Sequence, residues 1–296
     1  MEKSFPADHS FNLLLDAISR GERRVKVGGL HGSAKAFLLS VLFLKSVKTL
    51  ILVTSTESDA RREWQDLAFF LGAKQVFLYP PYDVRSADMF AFQRSTALSR
   101  MEILGRLFEN RPALIVLSVK ALMQKVMPHK AFAGYREVLS LGDFRDRDEL
   151  AEKLLSGGYS RVSLVEEKGE FSVRGNIVDI FPPAAENPVR LEFVGDELES
   201  IRIFDPASQR STGELSDFPL PPAGEIIFSA ERQQRTIANI RRRASELELP
   251  GLVRNRLVEA VVAGPISSVN PLFLPLFYES SHGNNGNDGP ETPGVF

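Results

Sequence analysis

"TLILVTST", residues 49–56, is an unbroken apolar run rich in β-branched side chains and closed by hydroxyls. It lacks the apolar–polar alternation of a half-solvated strand, which predicts a strand buried on both faces. Helical periodicity flanks it on either side, over Ser33–Ser46 upstream and Ser58–Leu71 downstream. The alternation then continues with "QVFLY" (75–79), a helix over Ser95–Phe108 and a second buried run, "ALIVLS" (113–118). Strands and helices in alternation imply a parallel sheet with helices on its faces, so the fold class is α/β. Further upstream, "SFNLLLDAIS" (10–19) predicts a helix capped by Ser10, and "RRVKVGG" (23–29) a strand running into a glycine turn.

That turn leads into "GLHGSAKAF" (29–37), which approaches the phosphate-binding pattern G-x-x-x-x-G-K-[ST] without completing it. Gly29, Gly32 and Lys35 are present. Ala34 stands where the second glycine of the pattern belongs and Ala36 where the hydroxyl belongs. A working loop holds phosphates on backbone N–H groups at a helix N-terminus, while the Ser/Thr oxygen binds Mg²⁺. Ala36 offers no oxygen, and the methyl of Ala34 crowds the approach of a phosphate. A metal-binding acid after a buried strand is also missing: "ALIVLSVK" ends on Ser118, and Glu57 is a loose fit after Thr54 and Ser55. The loop is read as one kept for its shape, with Lys35 as its surviving charge.

Beyond Met123 the pattern changes. "DRDELAEKLLSGG" (146–158) predicts a short helix stopped by Gly157 and Gly158. Closely spaced strands follow: "YSRVSLVE" (159–166), "GEFSVRG" (169–175), "NIVDIFP" (176–182), and a hairpin of "VRLEF" and "LESIRIF" turning at Gly195–Asp196. This is an antiparallel α+β module, inserted or appended. "FPLPPAGE" (218–225) predicts a stiff connector, and two helical stretches follow it, 230–248 and 252–264. The Gly-, Asn- and Pro-rich end from Ser280 cannot bury enough apolar surface to order itself, and disorder is expected there.

Bulk properties narrow the function classes. The 296 residues are enough for more than one domain, since single cores seldom grow beyond roughly 250 residues. With 36 basic and 38 acidic residues the net charge is −2, which is no footprint of a dedicated nucleic-acid binder. The absence of cysteine excludes disulfides, thiolate metal sites and a cysteine nucleophile. His9, His31, His129 and His282 have no ligand spacing, and no G-x-S-x-G elbow exists, so no catalytic or metal residues are assigned. The start lacks the cationic and apolar regions of a secretory signal, and the longest apolar run, "FLLSVLFL", is too short to cross a bilayer, so a cytoplasmic location is expected. Asp83, Arg85 and Asp88 form a charged loop after a strand, where lone charges are more often solvated or paired than catalytic. Arg232, Arg235, Arg241, Arg242 and Arg243 make a basic run blunted by Glu246 and Glu248.

"GEFSVRGNIVDIFP" (169–182) and "RLEFVGDELESIRIFDPASQRS" (190–211) resemble a stretch shared by the excision-repair protein UvrB and the bacterial transcription-repair-coupling factor (Mfd) family. "LIVLSVKALMQKVMPH" (114–129) and "NPLFLPLFYE" (270–279) resemble the coupling factors specifically, and the likeness runs from about Phe11 to Glu279. The resemblance implies a helicase-like P-loop domain in two parts, 1a and 1b, split by an inserted domain 2. The implied boundaries are 1–122 for domain 1a, 123–210 for domain 2, 211–279 for part of domain 1b and 280–296 for the tail. In UvrB the corresponding nucleotide loop is intact, whereas in the coupling factors it is degenerate, as here. The DNA-clamping tyrosine hairpin of UvrB is also missing: the interval Tyr79–Arg100 holds only Tyr79, Tyr82, Phe90 and Phe92 as aromatics.

The implied function is a non-catalytic adaptor that recruits UvrA, with no cofactor of its own. Full-length members bind RNA polymerase and double-stranded DNA, and hydrolyse ATP, through later domains. Since the likeness stops inside domain 1b, a truncated form is expected. The resemblance places UvrA contacts at Arg161, Phe171, Arg174, Gly175 and Phe181. Arginine forks and buried aromatics are typical interface anchors. Phe171 and Phe181 equally fit the core face of their strands, and Arg174 has Glu170 and Asp179 as possible partners inside the domain. Two other functions stay open: an ATP-dependent, UvrB-like DNA-binding or helicase half, and a structural piece with no partner of its own.

Overall fold

The computed structural model describes residues 9–46, 48–83, 94–264 and 273–278. Its first layer system starts with α1 (His9–Ser19) and α2 (Ala34–Ser46), and continues through β1 (Leu50–Thr54), α3 (Glu57–Leu71), β2 (Val76–Tyr79), α4 (Arg94–Phe108) and β3 (Leu114–Ser118). The strands form one parallel sheet in the order β1-β3-β2. Local chemistry sets the limits of α3. The Thr56 hydroxyl accepts a hydrogen bond from the backbone N–H of Asp59, two acids occupy the first turn, and Gly72 ends the helix at φ 85°.

β3 is the centre of this sheet, and its alternation builds two cores. Leu114 and Val116 pack with Ala36, Phe43, Ala60 and Leu67 on the α2–α3 side. Ile115 and Leu117 face the opposite way, toward Tyr79, Met101 and Leu104. All four side chains are fully buried, each stabilising the fold by about 1.5–3 kcal/mol. Two-sided burial thus belongs to "ALIVLS". The "TLILVTST" strand, expected to be buried on both faces, is an edge strand with Ile51 and Val53 nearly half exposed. A crossover order puts it outside, and composition does not reveal strand order.

Three other expectations are corrected. "RRVKVGG" forms no strand: residues 23–29 pair with nothing regular, and Val25 and Val27 lie open. Two valines separated by a lysine supply too little apolar surface to hold a strand in place. α1 begins at His9, so Ser10 lies within it and not at its cap. The stretch "FPLPPAGE" is no free connector, because Phe218, Pro219 and Leu220 pair with Leu139, Val138 and Glu137 in an antiparallel ribbon.

After α5 (Val119–Leu122) and α6 (His129–Tyr135) comes the module: β4 (Glu137–Ser140), α7 (Arg147–Ser156), β5 (Ser160–Arg161), β6 (Glu170–Arg174), β7 (Ile177–Ile180), β8 (Val189–Val194), β9 (Glu197–Phe204), β10 (Ser211–Leu215) and β11 (Asp217–Leu220). Its main sheet runs β10-β9-β8-β7-β6-β5, antiparallel apart from the β5–β6 pair. The predicted hairpin is β8–β9, with Gly195 at φ 61° in its turn. "YSRVSLVE" contributes only the two residues of β5. β11 pairs with β4 from Asp217↔Ser140 to Leu220↔Glu137, so the module's first and last strands meet and its two ends lie side by side.

Packing sets the limits of the module. Its core gathers Leu139, Leu154, Tyr159, Phe171, Leu191, Ile201, Phe218 and Ala223. Val126, Met127, Phe132 and Tyr135 instead join the core of the first domain, so residues from 123 to about 136 belong there rather than to an insert beginning at 123. The expected end at 210 falls just before β10, which is the sixth strand of the sheet. α8 (Ala230–Glu246), α9 (Gly251–Val262) and α10 (Leu274–Tyr278) return to the first domain, and Ile240, Leu257, Val261, Leu274 and Phe277 complete its core. The tail from Ser280 lies outside the described residues.

At the junction, Gly157 is confined: a Cβ there would collide with the ring and hydroxyl of Tyr135. Its carbonyl accepts from the N–H groups of both Ala223 and Gly224, tying the end of α7 to the chain as it leaves the module.

Candidate functional site

The stretch read as a residual nucleotide loop keeps its glycine turn and the helix after it, without the strand expected before it, and its lysine is already paired. Gly29 and Gly32 adopt left-handed conformations at φ 77° and 55°, which lead into the first turn of α2. Lys35, the charge that would meet a phosphate, lies with Nζ 2.6 Å from Oε1 of Glu63 on α3. Ala36 is fully buried in the apolar cluster with Leu67 and Val116. The position that would carry the magnesium-binding hydroxyl is therefore a packing position.

The strand ends beyond the loop are also engaged. The Thr54 hydroxyl donates to the Thr56 carbonyl at 2.9 Å, and Ser118 caps α5 through the backbone N–H of Ala121 at 3.3 Å. Glu57, the loose candidate for a metal acid, pairs with Lys120 at 2.9 Å, and Lys120 also reaches Asp83 at 3.5 Å. Among the described residues no group of three or more histidines or carboxylates is arranged to hold a metal. Arg85, Asp88, Phe90, Phe92 and His282 lie outside the described residues.

Tyr79 and Tyr82 have a structural task that local sequence does not disclose. Their rings sandwich the Arg100 guanidinium, each centroid 4.4 Å from its central carbon. Arg100 Nε donates to Glu225 Oε1 at 2.6 Å, and the Tyr82 hydroxyl donates to the same oxygen at 3.0 Å. Gln124 joins through the backbone of Tyr82, accepting from its N–H and donating to its carbonyl, both at 2.8 Å. Burial, reinforced by the Glu225 charge, pushes both phenols well above their usual range. Burial alone would lower the Arg100 pKa, but Glu225 and the two phenols outweigh it and the net shift is upward.

The module presents the other candidate set. Arg161 is exposed on β5, in register with Phe171. Phe171 is fully buried in the module core, and Phe181 is buried in a satellite cluster with Val165 and Phe204. Neither ring offers surface to a partner: Phe171 fills the core face of β6, and Phe181 packs just beyond the end of β7. Arg174 projects from the opposite face of β6, where its Nη2 donates to Asp179 Oδ2 at 2.6 Å. Glu170, its other possible partner, instead accepts from the backbone N–H groups of Glu166 and Glu167. Gly175 turns the chain into β7 at φ 61° with open space around it. The structure thus gathers Arg174 and Gly175 at one corner, sets Arg161 at the neighbouring edge and withdraws the two phenylalanines.

Sequence reasoning did not find Arg190. Its Nε and Nη2 donate to Asp179 at 2.7 and 3.0 Å, and its guanidinium lies over the Phe204 ring at 4.6 Å. The bond to Asp179 raises its pKa further. Only strand register reveals the cluster, because Ser172, Asp179, Arg190, Arg202 and Glu214 form a single cross-strand row. The basic run on α8 is partly neutralised, with Arg235 held by Glu231 at 2.5 Å, and Arg242 and Arg243 by Glu246 at 3.3 and 2.8 Å.

Residues 138–225 match the UvrB interaction domain, a span that begins in β4 and ends at Glu225. The chain is 35% identical over 284 residues to the transcription-repair-coupling factor of Myxococcus xanthus, covering 91% of this chain and 23% of that protein. It is 30% identical over 230 residues to that of Bacillus subtilis (strain 168), covering 78% of this chain and 20% of the relative. The chain therefore spans about a fifth to a quarter of the length of these relatives. No described helix is long and apolar enough to cross a membrane.

Proposed function

We propose that this chain, which belongs to the N-terminal region of the transcription-repair-coupling factors, is the non-catalytic adaptor by which such a factor recruits UvrA to stalled RNA polymerase in nucleotide-excision repair. One observation carries this reading: the residues that match the UvrB interaction domain coincide with a module closed on itself by the β4–β11 pair. A self-contained insert with adjacent ends is suited to hold a docking face without disturbing the domain that bears it.

The chemistry of the residual loop supports the non-catalytic part. Lys35 is paired with Glu63 and Ala36 is committed to the core, so the lysine is already engaged and position 36 offers no oxygen for magnesium. Contacts with RNA polymerase and DNA, and ATP hydrolysis, are assigned to the rest of the longer relatives.

The docking residues on this reading are Arg161, Arg174 and Gly175. Arginine supplies charge-assisted, planar hydrogen bonds, and a glycine at a strand turn lets a partner's backbone come close. The test is titration of UvrA into the chain at low salt, comparing wild type with Arg161→Glu and Arg174→Glu. A complex formed by wild type and weakened in both variants is expected. Absence of any complex with wild type defeats the proposal.

A further inference from the structure

Among the acidic and basic side chains of the module, Asp179 is set apart by complete burial on a face that is otherwise partly solvated. Its carboxylate serves two guanidiniums. Arg190 spends a full edge on it and is only 15% exposed. Arg190 is held further by Gln209 at 3.4 Å and by its stacking on Phe204. Arg174 spends a single nitrogen, its side chain is 44% exposed, and it has no other protein partner among the described residues. Two cations against one carboxylate leave one positive charge in excess, and Arg174 is the member of the cluster that meets solvent.

A free arginine samples many rotamers, and a partner must then order it on binding. Here a buried anion anchors one corner of the fork, while the fork's rigid plane aims the remaining donors outward. Resting on the UvrA-docking reading above, we propose that Asp179 is a positioning residue that holds Arg174 ready to grip a carboxylate of UvrA. A carboxylate fits better than a nucleic-acid backbone because the same face carries Glu192, whose position pairs with Ile177 beside Arg174, and Glu214 in the Asp179 row. Glu192 also pairs with Arg202 at 3.5 Å, so acids and arginines are interspersed on this face: a line of phosphates would meet both signs, while a single carboxylate can meet Arg174 alone.

The test measures UvrA affinity of the whole chain for wild type, Asp179→Asn, Arg174→Ala, Arg174→Lys and the Asp179→Asn/Arg174→Ala pair, each with its melting curve. Arg174→Ala is expected to weaken binding about tenfold or more. Asp179→Asn should weaken it several-fold, beyond what any loss of folded protein explains. The double variant should bind no more weakly than Arg174→Ala alone, because Asp179 acts through Arg174. Arg174→Lys keeps the charge but cannot serve Asp179 and a partner through one planar fork, so it should resemble Arg174→Ala.

Wild-type affinity in Asp179→Asn, losses that multiply in the double variant, or wild-type affinity in Arg174→Lys would each overturn the inference while leaving UvrA docking intact. Because Arg174 is exposed, the lysine variant decides the matter even if Asp179→Asn does not fold. Binding by wild type that ignores Arg174→Ala, or an Arg174-dependent affinity for duplex DNA in place of UvrA, also overturns it. Failure of wild type to bind UvrA removes the functional reading and this inference together.

Discussion

Arg100 and Glu225 form a fully buried ion pair, Nε to Oε1 at 2.6 Å, across 125 residues of sequence. One partner comes from α4 of the first domain and the other from the chain just after it leaves the module. α4 also grips the module elsewhere: Arg94 donates to the Gly169 carbonyl at 2.9 Å and to the Ser160 hydroxyl, and Glu102 pairs with Lys168 at 3.0 Å. The buried pair closes the loop of chain that the module makes.

Removing one partner leaves an uncompensated charge in a dry site, so Arg100→Met or Glu225→Gln should destabilise the chain by about 3–5 kcal/mol. Replacing both with Arg100→Met/Glu225→Met should cost much less than the sum of the single changes. Urea denaturation of the three variants measures this, and additive losses would show that the pair is not coupled.

The tyrosines supply a pH prediction. All five in the chain are buried, at 79, 82, 135, 159 and 278. Burial foremost raises the pKa of Tyr79, Tyr82, Tyr135 and Tyr159 above the usual phenol value of 10.0. Above that value the unfolded chain sheds protons that the folded chain keeps, so stability is intact below pH 10 and falls as the pH rises through it. Tyrosinate absorbance should therefore appear together with loss of circular dichroism. Ionisation of these phenols in a still-folded chain would contradict the burial argument.

At the residual loop, magnesium and ATP should show neither binding nor hydrolysis in wild type, and Lys35→Ala should destabilise by about 1–3 kcal/mol, since it strands Glu63, whose side chain is only 10% exposed. Ala36→Thr, which restores the motif's hydroxyl but not its second glycine, should also destabilise by about 1–3 kcal/mol by forcing a branched hydroxyl into a filled core. Calorimetric titration with ATP and thermal melting of both variants check this. Lysine-dependent ATP turnover would overturn the reading of the loop.

Local pattern was enough where a segment's own chemistry decides its fate. The Thr56-to-Gly72 helix carries its cap and its stop in sequence, and Gly195–Asp196 marks its hairpin with the residues the turn demands. Long-range pairing was not legible. "FPLPPAGE" has the prolines of a linker, yet Asp217–Leu220 finds a strand 80 residues upstream in Glu137–Ser140. Its Pro219 is acceptable because a two-stranded ribbon leaves one side of each strand unpaired. In the candidate site, a pairing of Arg174 with Asp179 was within reach because the two are only five positions apart. Arg190 and the Arg100–Glu225 pair were out of reach, since only strand register and domain packing bring them in.

The misread edge strand gives the sharpest mutational contrast within one sheet. Ile51 and Leu117 are both apolar residues of parallel strands that pair with each other, and composition alone ranks them equally. Burial does not: Leu117 is wholly enclosed and Ile51 is 45% exposed. Leu117→Ala removes methyl groups from a site that cannot collapse, and should cost about 2–5 kcal/mol. Ile51→Ala leaves no enclosed cavity and should cost under about 1 kcal/mol, with the small loss arising from β-propensity at an edge. Chemical denaturation of the two variants measures the difference, and equal losses would mean that β1 is covered on both faces after all.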